Sequence, residues 1–260
     1  MIGQEGKYAL ITGASGGIGY ELVKLFAKDD KDLIIVSRNK DRLEQVKAEI
    51  EDRYHNKVRV LPKDLSHPQA PSEIYSELKK DNIEVDVLVN NAGFAIYGPF
   101  SDTDLQKELE MIQVHITSLT YMTKLFLGKM LENKSGKILN VSSSIAFLSV
   151  PLFSVYAASK AYTLHFSEAL ANELQRTGVS VTCLCPSPTE TLFYKKEDTR
   201  ESKTAGGKMM DAVTVARAGY TALKRGEISV TPGFIKGKLL MVFARILPRN
   251  LLTKIMRAMA

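Results

Sequence analysis

At 260 residues, 45% apolar and 25% charged, the chain can bury a sizeable core without disulfides, and its composition excludes a disordered or fibrous protein. The net charge of +6 is uneven, because no acid follows Glu227 while Lys236, Lys238, Arg245, Arg249, Lys254 and Arg257 do; with no recognition motif, this local basicity argues against nucleic acid. Two cysteines two apart, Cys183 and Cys185, no apolar secretory core after Met1 and no run of about 18 apolar residues predict buried thiols, a cytoplasmic location and no membrane span.

Tyr8 to Thr12 is a short apolar run that reads as a strand. It leads into Thr12-Gly13-Ala14-Ser15-Gly16-Gly17-Ile18-Gly19, and Leu22, Val23, Phe26 and Ala27 then carry helical periodicity. Strand, glycine turn and helix together present backbone N–H groups to a phosphate at a helix N-terminus. Leu33 to Val36 is a second strand, ending in Ser37-Arg38-Asn39 before a helix over Lys40 to Tyr54. In dinucleotide-binding units the residue at this strand end reads the ribose: an acid suits a 2′-hydroxyl, an arginine a 2′-phosphate. No acid lies between Leu33 and Lys40, so Arg38 points to NADP(H); the alternative is an arginine that only caps the turn.

Val58 to Leu61 is a third strand, followed by Asp64-Leu65 and a helix over Pro68 to Asp81. Val85 to Val89 is a fourth, running into Asn90-Asn91-Ala92-Gly93. Asp102 to Leu131 reads as one long helix, with Leu105, Leu109, Ile112, Ile116, Leu119, Met122 and Phe126 on its apolar stripe. Gly136 to Val141 is a fifth strand, ending in Ser142-Ser143-Ser144. From Ser154 to Arg176 no proline or glycine interrupts a helical run that holds Tyr156 and Lys160 four apart, on one face. A cation near a phenol favours its charged form, so this pair can exchange a proton with a carbonyl or alcohol near neutral pH; by itself the spacing also fits a solvated helix face. Val179 to Leu184 is a sixth strand, closed by Pro186-Ser187-Pro188-Thr189-Glu190-Thr191. A polar stretch to Lys208, a helix over Val213 to Lys224 and a strand over Ile228 to Val230 complete the order.

Strands alternate with helices, and the strands are near-continuously apolar. This predicts a single α/β domain over residues 1–233: a doubly wound, Rossmann-type parallel sheet of seven strands with helices on both faces. Residues 234–260 form a basic, apolar helical extension, split at Pro248. It reads either as a lid or subunit contact or as a weak membrane-surface clamp. Ligands of such sheets sit beyond the carboxyl ends of the strands, where Gly13, Arg38, Asp64, Asn91, Ser143 and Thr189 all fall.

With Thr12-Gly13-x-x-x-Gly17-x-Gly19, Asn90 to Gly93, Ser143, and Tyr156 with Lys160 in this order, the chain resembles the short-chain dehydrogenase/reductase family up to about Val230. The resemblance implies an oxidoreductase using NADP(H), with Tyr156 as general acid/base. Lys160 would hold the nicotinamide ribose and lower the tyrosine's pKa, Ser143 would orient the substrate oxygen, Asp64 would touch the adenine and Thr191 the carboxamide. The implied cofactor-binding set is Gly13, Ser15, Gly16, Gly17, Ile18, Gly19, Ser37, Arg38, Asn39, Asp64, Leu65, Asn91, Ala92, Gly93, Tyr156, Lys160, Pro186, Thr189 and Thr191. Two positions depart from the family pattern. His115 stands where an asparagine usually helps to hold a relay water, so it either substitutes in the relay or stabilises a helix bend. Ser187 stands where glycine is common.

Substrate-facing loops are expected at Phe94 to Phe100, Ile145 to Phe153 and Leu192 to Met210. Their Phe94, Ile96, Tyr97, Phe147, Leu148, Phe153, Phe193 and Tyr194 favour a small hydrophobic carbonyl or alcohol, unless they are simply core. A homodimer or homotetramer through the helices around Leu119 and Phe166 is the expected assembly. The rival reading is an NADP(H)-binding sensor or scaffold without turnover. The candidate catalytic set is Ser143, Tyr156, Lys160 and His115; the rival leans on the unusual His115 and is opposed by the other three.

Overall fold

The computed structural model describes residues 7–191, 209–233 and residues 253, 254, 256 and 257. Phe193, Tyr194, the polar stretch to Lys208 and most of the basic extension lie outside the described residues. The strands are β1 (Lys7–Thr12), β2 (Asp32–Ser37), β3 (Val58–Pro62), β4 (Glu84–Asn90), β5 (Gly136–Val141), β6 (Val179–Leu184), β7 (Thr189–Glu190), β8 (Met210–Asp211) and β9 (Ser229–Val230). The helices are α1 (Gly17–Lys28), α2 (Lys40–Tyr54), α3 (Ala70–Lys80), α4 (Leu105–Ile112), α5 (Leu119–Glu132), α6 (Ser154–Glu173) and α7 (Ala212–Arg225). Seven strands form one parallel sheet in the order β3-β2-β1-β4-β5-β6-β9. The order reverses at β1, so a crevice opens beyond the carboxyl ends of β1 and β4.

Residue alternation along the strands explains the two helical layers. Ala9 and Ile11, Leu33 and Ile35, and Val87 and Val89 pack on one face with Leu22, Phe26, Leu43, Val215 and Leu223. Leu10, Ile34, Val36, Leu88 and Ile138 pack on the other with Ile74, Met122, Phe126 and Leu170. Each fully buried Leu, Ile, Val, Met or Phe among them contributes about 1.5–3 kcal/mol. Helix ends follow from local chemistry. Asn39, Asp104 and Asp211 accept backbone N–H groups of Arg42, Lys107 and Thr214 at 2.9, 2.8 and 2.7 Å. Gly226 ends α7 in the left-handed conformation, at φ +69°.

The expected helix over Asp102 to Leu131 is instead α4 and α5 joined by a π-helical segment, Gln113–Ser118. The wider turn rotates the buried stripe. Met111 faces inward before it, Val114, His115 and Ser118 within it, and Leu119, Met122, Phe126 and Met130 after it, while Leu105 and Leu109 are left 68% and 49% exposed. Helix α3 begins at Ala70 rather than Pro68, because Asp64 first accepts the N–H and hydroxyl of Ser66 in a turn. Strands β7 and β8 form a separate two-stranded parallel pair that periodicity does not reveal at that length.

A buried polar chain ties β4, β5, α5 and α6 together. Asn90 Nδ2 donates to Thr123 Oγ1 at 3.1 Å and to Asn140 Oδ1 at 2.9 Å; Asn140 Nδ2 donates to Ser167 Oγ at 2.9 Å. Replacing Asn140 by leucine removes one partner each from Asn90 and Ser167 in a dry interior, leaving Asn90 its bond to Thr123 and Ser167 its bond to the Thr163 carbonyl. The expected result is a loss of about 2–4 kcal/mol in unfolding free energy, read by urea denaturation with an unchanged m-value.

Candidate active site

The crevice is a cavity of about 510 Å³. Its floor begins at the glycine turn. Thr12 Oγ1 donates to the Val89 carbonyl at 3.1 Å and accepts the N–H groups of Asn91 and Ala92 at 2.9 and 3.0 Å. Asn91 Nδ2 donates to the carbonyls of Thr12 and Gly13 at 2.9 and 3.3 Å. These bonds lock the ends of β1 and β4 together. Gly13 has φ +66°, and a Cβ there would lie 2.7 Å from Asn91 Nδ2; a Cβ at Gly19 would lie 2.3 Å from the Gly13 carbonyl oxygen.

Of the residues expected at the site, Gly13, Ser15, Gly16, Gly17, Ile18, Ser37, Arg38, Asn39, Asp64, Leu65, Asn91, Ala92, Gly93, Ser143, Tyr156, Lys160, Pro186, Thr189 and Thr191 all line this one cavity. Gly19 lies behind the turn, within α1, and His115 faces a smaller cavity of about 10 Å³ that Lys160, Asn90, Thr12 and Ser118 also line. Sequence reading missed the cavity's Val36, Lys63, Ser66, Val114, Val141, Ser142, Ser144 and Met256. Met256, in the apolar tail that reads as a lid or subunit contact, is brought in from beyond β9 by tertiary packing. Arg42 was legible in principle, four residues beyond Arg38; its Nε donates to the Ser15 carbonyl at 3.2 Å, closing α2 onto the glycine turn.

Lys160 is 6% exposed, and its Nζ donates to the Val141 carbonyl at 3.0 Å and lies 5.8 Å from the centre of the Tyr156 ring. Ser142 Oγ donates to the Lys160 carbonyl at 2.7 Å, so β5 grips the lysine at both ends. Burial pushes the ammonium down to about 8, which leaves the charged form dominant at neutral pH. Ser143 caps a short 3-10 turn, Ser144–Phe147, accepting the Ile145 N–H at 3.3 Å. Ser187 is buried without left-handed backbone, its N–H donating to the Pro232 carbonyl at 3.1 Å.

The opposite wall is apolar: Phe94, Ile145, Leu148, Val150, Phe153 and Met256 line it beside Tyr156. Of the other expected wall residues, Ile96 is buried in the cluster behind, Tyr97 packs on Phe153 with ring centres 5.1 Å apart, and Phe147 packs on the Leu164, Cys183 and Cys185 cluster. Both cysteines are buried free thiols. Among the described residues no helix is long and apolar enough to cross a membrane, and no cluster suits a metal ion.

The residues fit a dinucleotide cofactor. Helix α1 opens on Gly16 with no side-chain cap, so its first N–H groups face the cavity. Ser37 Oγ is buried without a partner at the end of β2, next to Arg38, which is 62% exposed and 3.8 Å from Asp64.

The family model described as short chain dehydrogenase matches residues 7–202. The chain belongs to this family of oxidoreductases, whose members use a nicotinamide cofactor. A very-long-chain 3-oxoacyl-CoA reductase of Homo sapiens is 35% identical over 187 residues, covering 70% of this chain and 59% of that protein. The chain thus spans under two thirds of that relative's length. An uncharacterized oxidoreductase of Staphylococcus saprophyticus is 29% identical over 238 residues, 89% of this chain and 100% of that one. The solved short-chain dehydrogenase from Sphingobium yanoikuyae in complex with NADPH superposes with a TM-score of 0.82 at 27% identity, over 92% of this chain and 93% of that one.

A buried ammonium costs stability. In the unfolded chain this lysine titrates near 10.5 and in the fold at about 8, so unfolding takes up a proton between those values. Stability therefore falls as pH drops from 10.5 to 8 and the penalty is constant below. Lys160→Met is expected to raise unfolding free energy at pH 7 by roughly 1–3 kcal/mol, with the advantage fading toward pH 10.5 in thermal melts across pH.

Proposed function

We propose that this chain reduces a ketone bearing a hydrocarbon chain to the secondary alcohol, or runs the reverse oxidation, with NADP(H). One observation carries the reading. A single cavity joins the uncapped end of α1 and the Ser37–Arg38 corner to Ser143, Tyr156 and Lys160, with an apolar wall opposite. When bound, the dinucleotide supplies the hydride through its nicotinamide ring. The α1 N-terminus would hold the diphosphate, and Arg38 the 2′-phosphate with Ser37 beneath it. Ser143 Oγ would hydrogen-bond the substrate oxygen and polarise it. Tyr156 would give its phenolic proton to that oxygen as negative charge develops there. The Lys160 ammonium would stabilise the phenolate left behind. The 10 Å³ cavity beside Lys160 is the size of one water, with polar residues Thr12, Asn90 and Ser118 in its lining, which suits reprotonation from that side.

The wall of Phe94, Ile145, Leu148, Val150, Phe153 and Met256 favours an apolar chain next to the carbonyl. With relatives named 3-oxoacyl-CoA reductases, the substrates to test first are 3-oxoacyl thioesters of increasing length, beside simple hydrophobic ketones. A reducing compartment suits the two buried free thiols. The assembly we propose is a homo-oligomer. Leu119 is itself buried within the subunit, and the exposed Leu105, Leu109, Tyr121 and Leu131 of α4 and α5 are apolar surface open to a second copy.

Tyr156→Phe is expected to lower kcat for reduction with NADPH at least about 10³-fold while NADPH binding stays within about twofold, measured by NADPH consumption and fluorescence titration. Arg38→Asp is expected to weaken NADPH about 30-fold or more and leave NADH near its original affinity; equal effects on both would remove the 2′-phosphate assignment.

A further inference from the structure

The π-helical segment turns His115 into the interior, where it is 2% exposed. Its ring reaches two elements. Nε2 accepts the Phe94 N–H at 3.1 Å, and Nδ1 lies 2.9 Å from Ser159 Oγ. A backbone N–H can only donate, so Nε2 carries the lone pair and Nδ1 carries the proton. Nδ1–H then donates to Ser159, and Ser159 spends its own hydrogen on the Tyr156 carbonyl at 2.8 Å. Every donor in this chain meets an acceptor. The fit is close: a Cβ at Gly93 would lie 2.6 Å from Nε2. The ring centre lies 6.1 Å from that of Phe94 and 5.8 Å from that of Tyr156, both edge-on.

We propose that His115 is a positioning residue, whose imidazole sets the spacing between the apolar wall at Phe94 and the tyrosine end of α6 by bonding to both. The proposal rests on reading the cavity as a reductase site. The side chain that occupies the usual asparagine position is thereby committed to the wall and to α6. The clamp is acid-labile, because an imidazolium has no lone pair for the Phe94 N–H. Burial, then the charge of Lys160, holds the imidazole neutral well below 6.5, so the clamp is closed at neutral pH. The unfolded chain protonates this histidine near 6.5, so its contribution to stability is lost as pH falls below that value. The ionisable groups that meet the ring are Lys160 and Tyr156 of α6; residues 91–94 carry none.

The test separates the two bonds in the full chain. A glutamine amide reaches about as far as Nε2 and keeps the Phe94 bond, an asparagine amide reaches only as far as Nδ1 and keeps the Ser159 bond, and phenylalanine keeps neither. Hydrogen exchange of the 91–97 segment, NADPH affinity, and kcat and KM for a long-chain ketone are measured for wild type, His115→Gln, His115→Asn, His115→Phe and Ser159→Ala. The Gln variant is expected to stay within about threefold of wild type in exchange and KM. The Asn and Phe variants are expected to exchange about tenfold faster and raise KM about tenfold, with NADPH affinity unchanged. Ser159→Ala is expected to fall between. Asn and Phe variants that match wild type in exchange and KM, and differ only in melting temperature, overturn the proposal. Should Phe fail to fold, the contrast between Gln and Asn decides. Should even wild type reduce no ketone, the reductase reading falls, while the exchange pattern still decides whether the clamp exists.

Discussion

An ammonium held away from water is the constraint around which this molecule is built. Lys160 is buried, and a lone buried cation is costly unless something accepts its protons. The acceptor here is the Val141 carbonyl, at the last residue of β5 and one position beyond the last β4–β5 pair, Asn90 with Asn140. Ser142 then takes the lysine's own carbonyl, which fixes the rise of α6 against the strand end. Tyr156, one turn earlier, is placed on the cavity by the same two bonds. The position of the phenol is thus a property of the sheet as much as of the helix.

The sheet order supplies the other half of the site. Reversal at β1 parts the chain on either side of β1 and β4, and the helices that follow leave toward opposite faces. Thr12 and Asn91 bridge that split with four backbone groups, so the glycine turn and the segment leading to Phe94 cannot drift apart. The glycine turn and the Tyr156–Lys160 pair, over a hundred positions apart in the chain, line one cavity.

Much of this was legible because it is written in short periods. Val58, Gly136 and Val179 start strands where the apolar runs start, and Lys40 to Tyr54 is a helix from end to end. The glycine turn, Ser143 and the Tyr156–Lys160 pair were legible because spacing alone puts them at strand ends or on one helix face. What was hidden depends on changes of period or on distant packing. The π-helical segment adds a fraction of a turn without any proline or glycine to announce it, so Leu105 and Leu109 were read as core and are exposed. Ser159 sits beside Lys160 in the sequence yet acquires its meaning only from the His115 ring across the helix pair. The Val141 carbonyl is backbone, and no side-chain pattern encodes it. Met256 reaches the cavity from beyond the last strand through packing that no local pattern predicts.

The most direct test of the account follows an atom. The full chain is incubated with NADPH deuterated at the hydride-donating carbon and with a long-chain ketone, and the product is analysed by mass spectrometry and NMR. The account requires one deuterium on the carbinol carbon and a hydroxyl proton drawn from solvent. A chain that binds NADPH yet leaves every ketone and 3-oxoacyl thioester unlabelled and unreduced would contradict it.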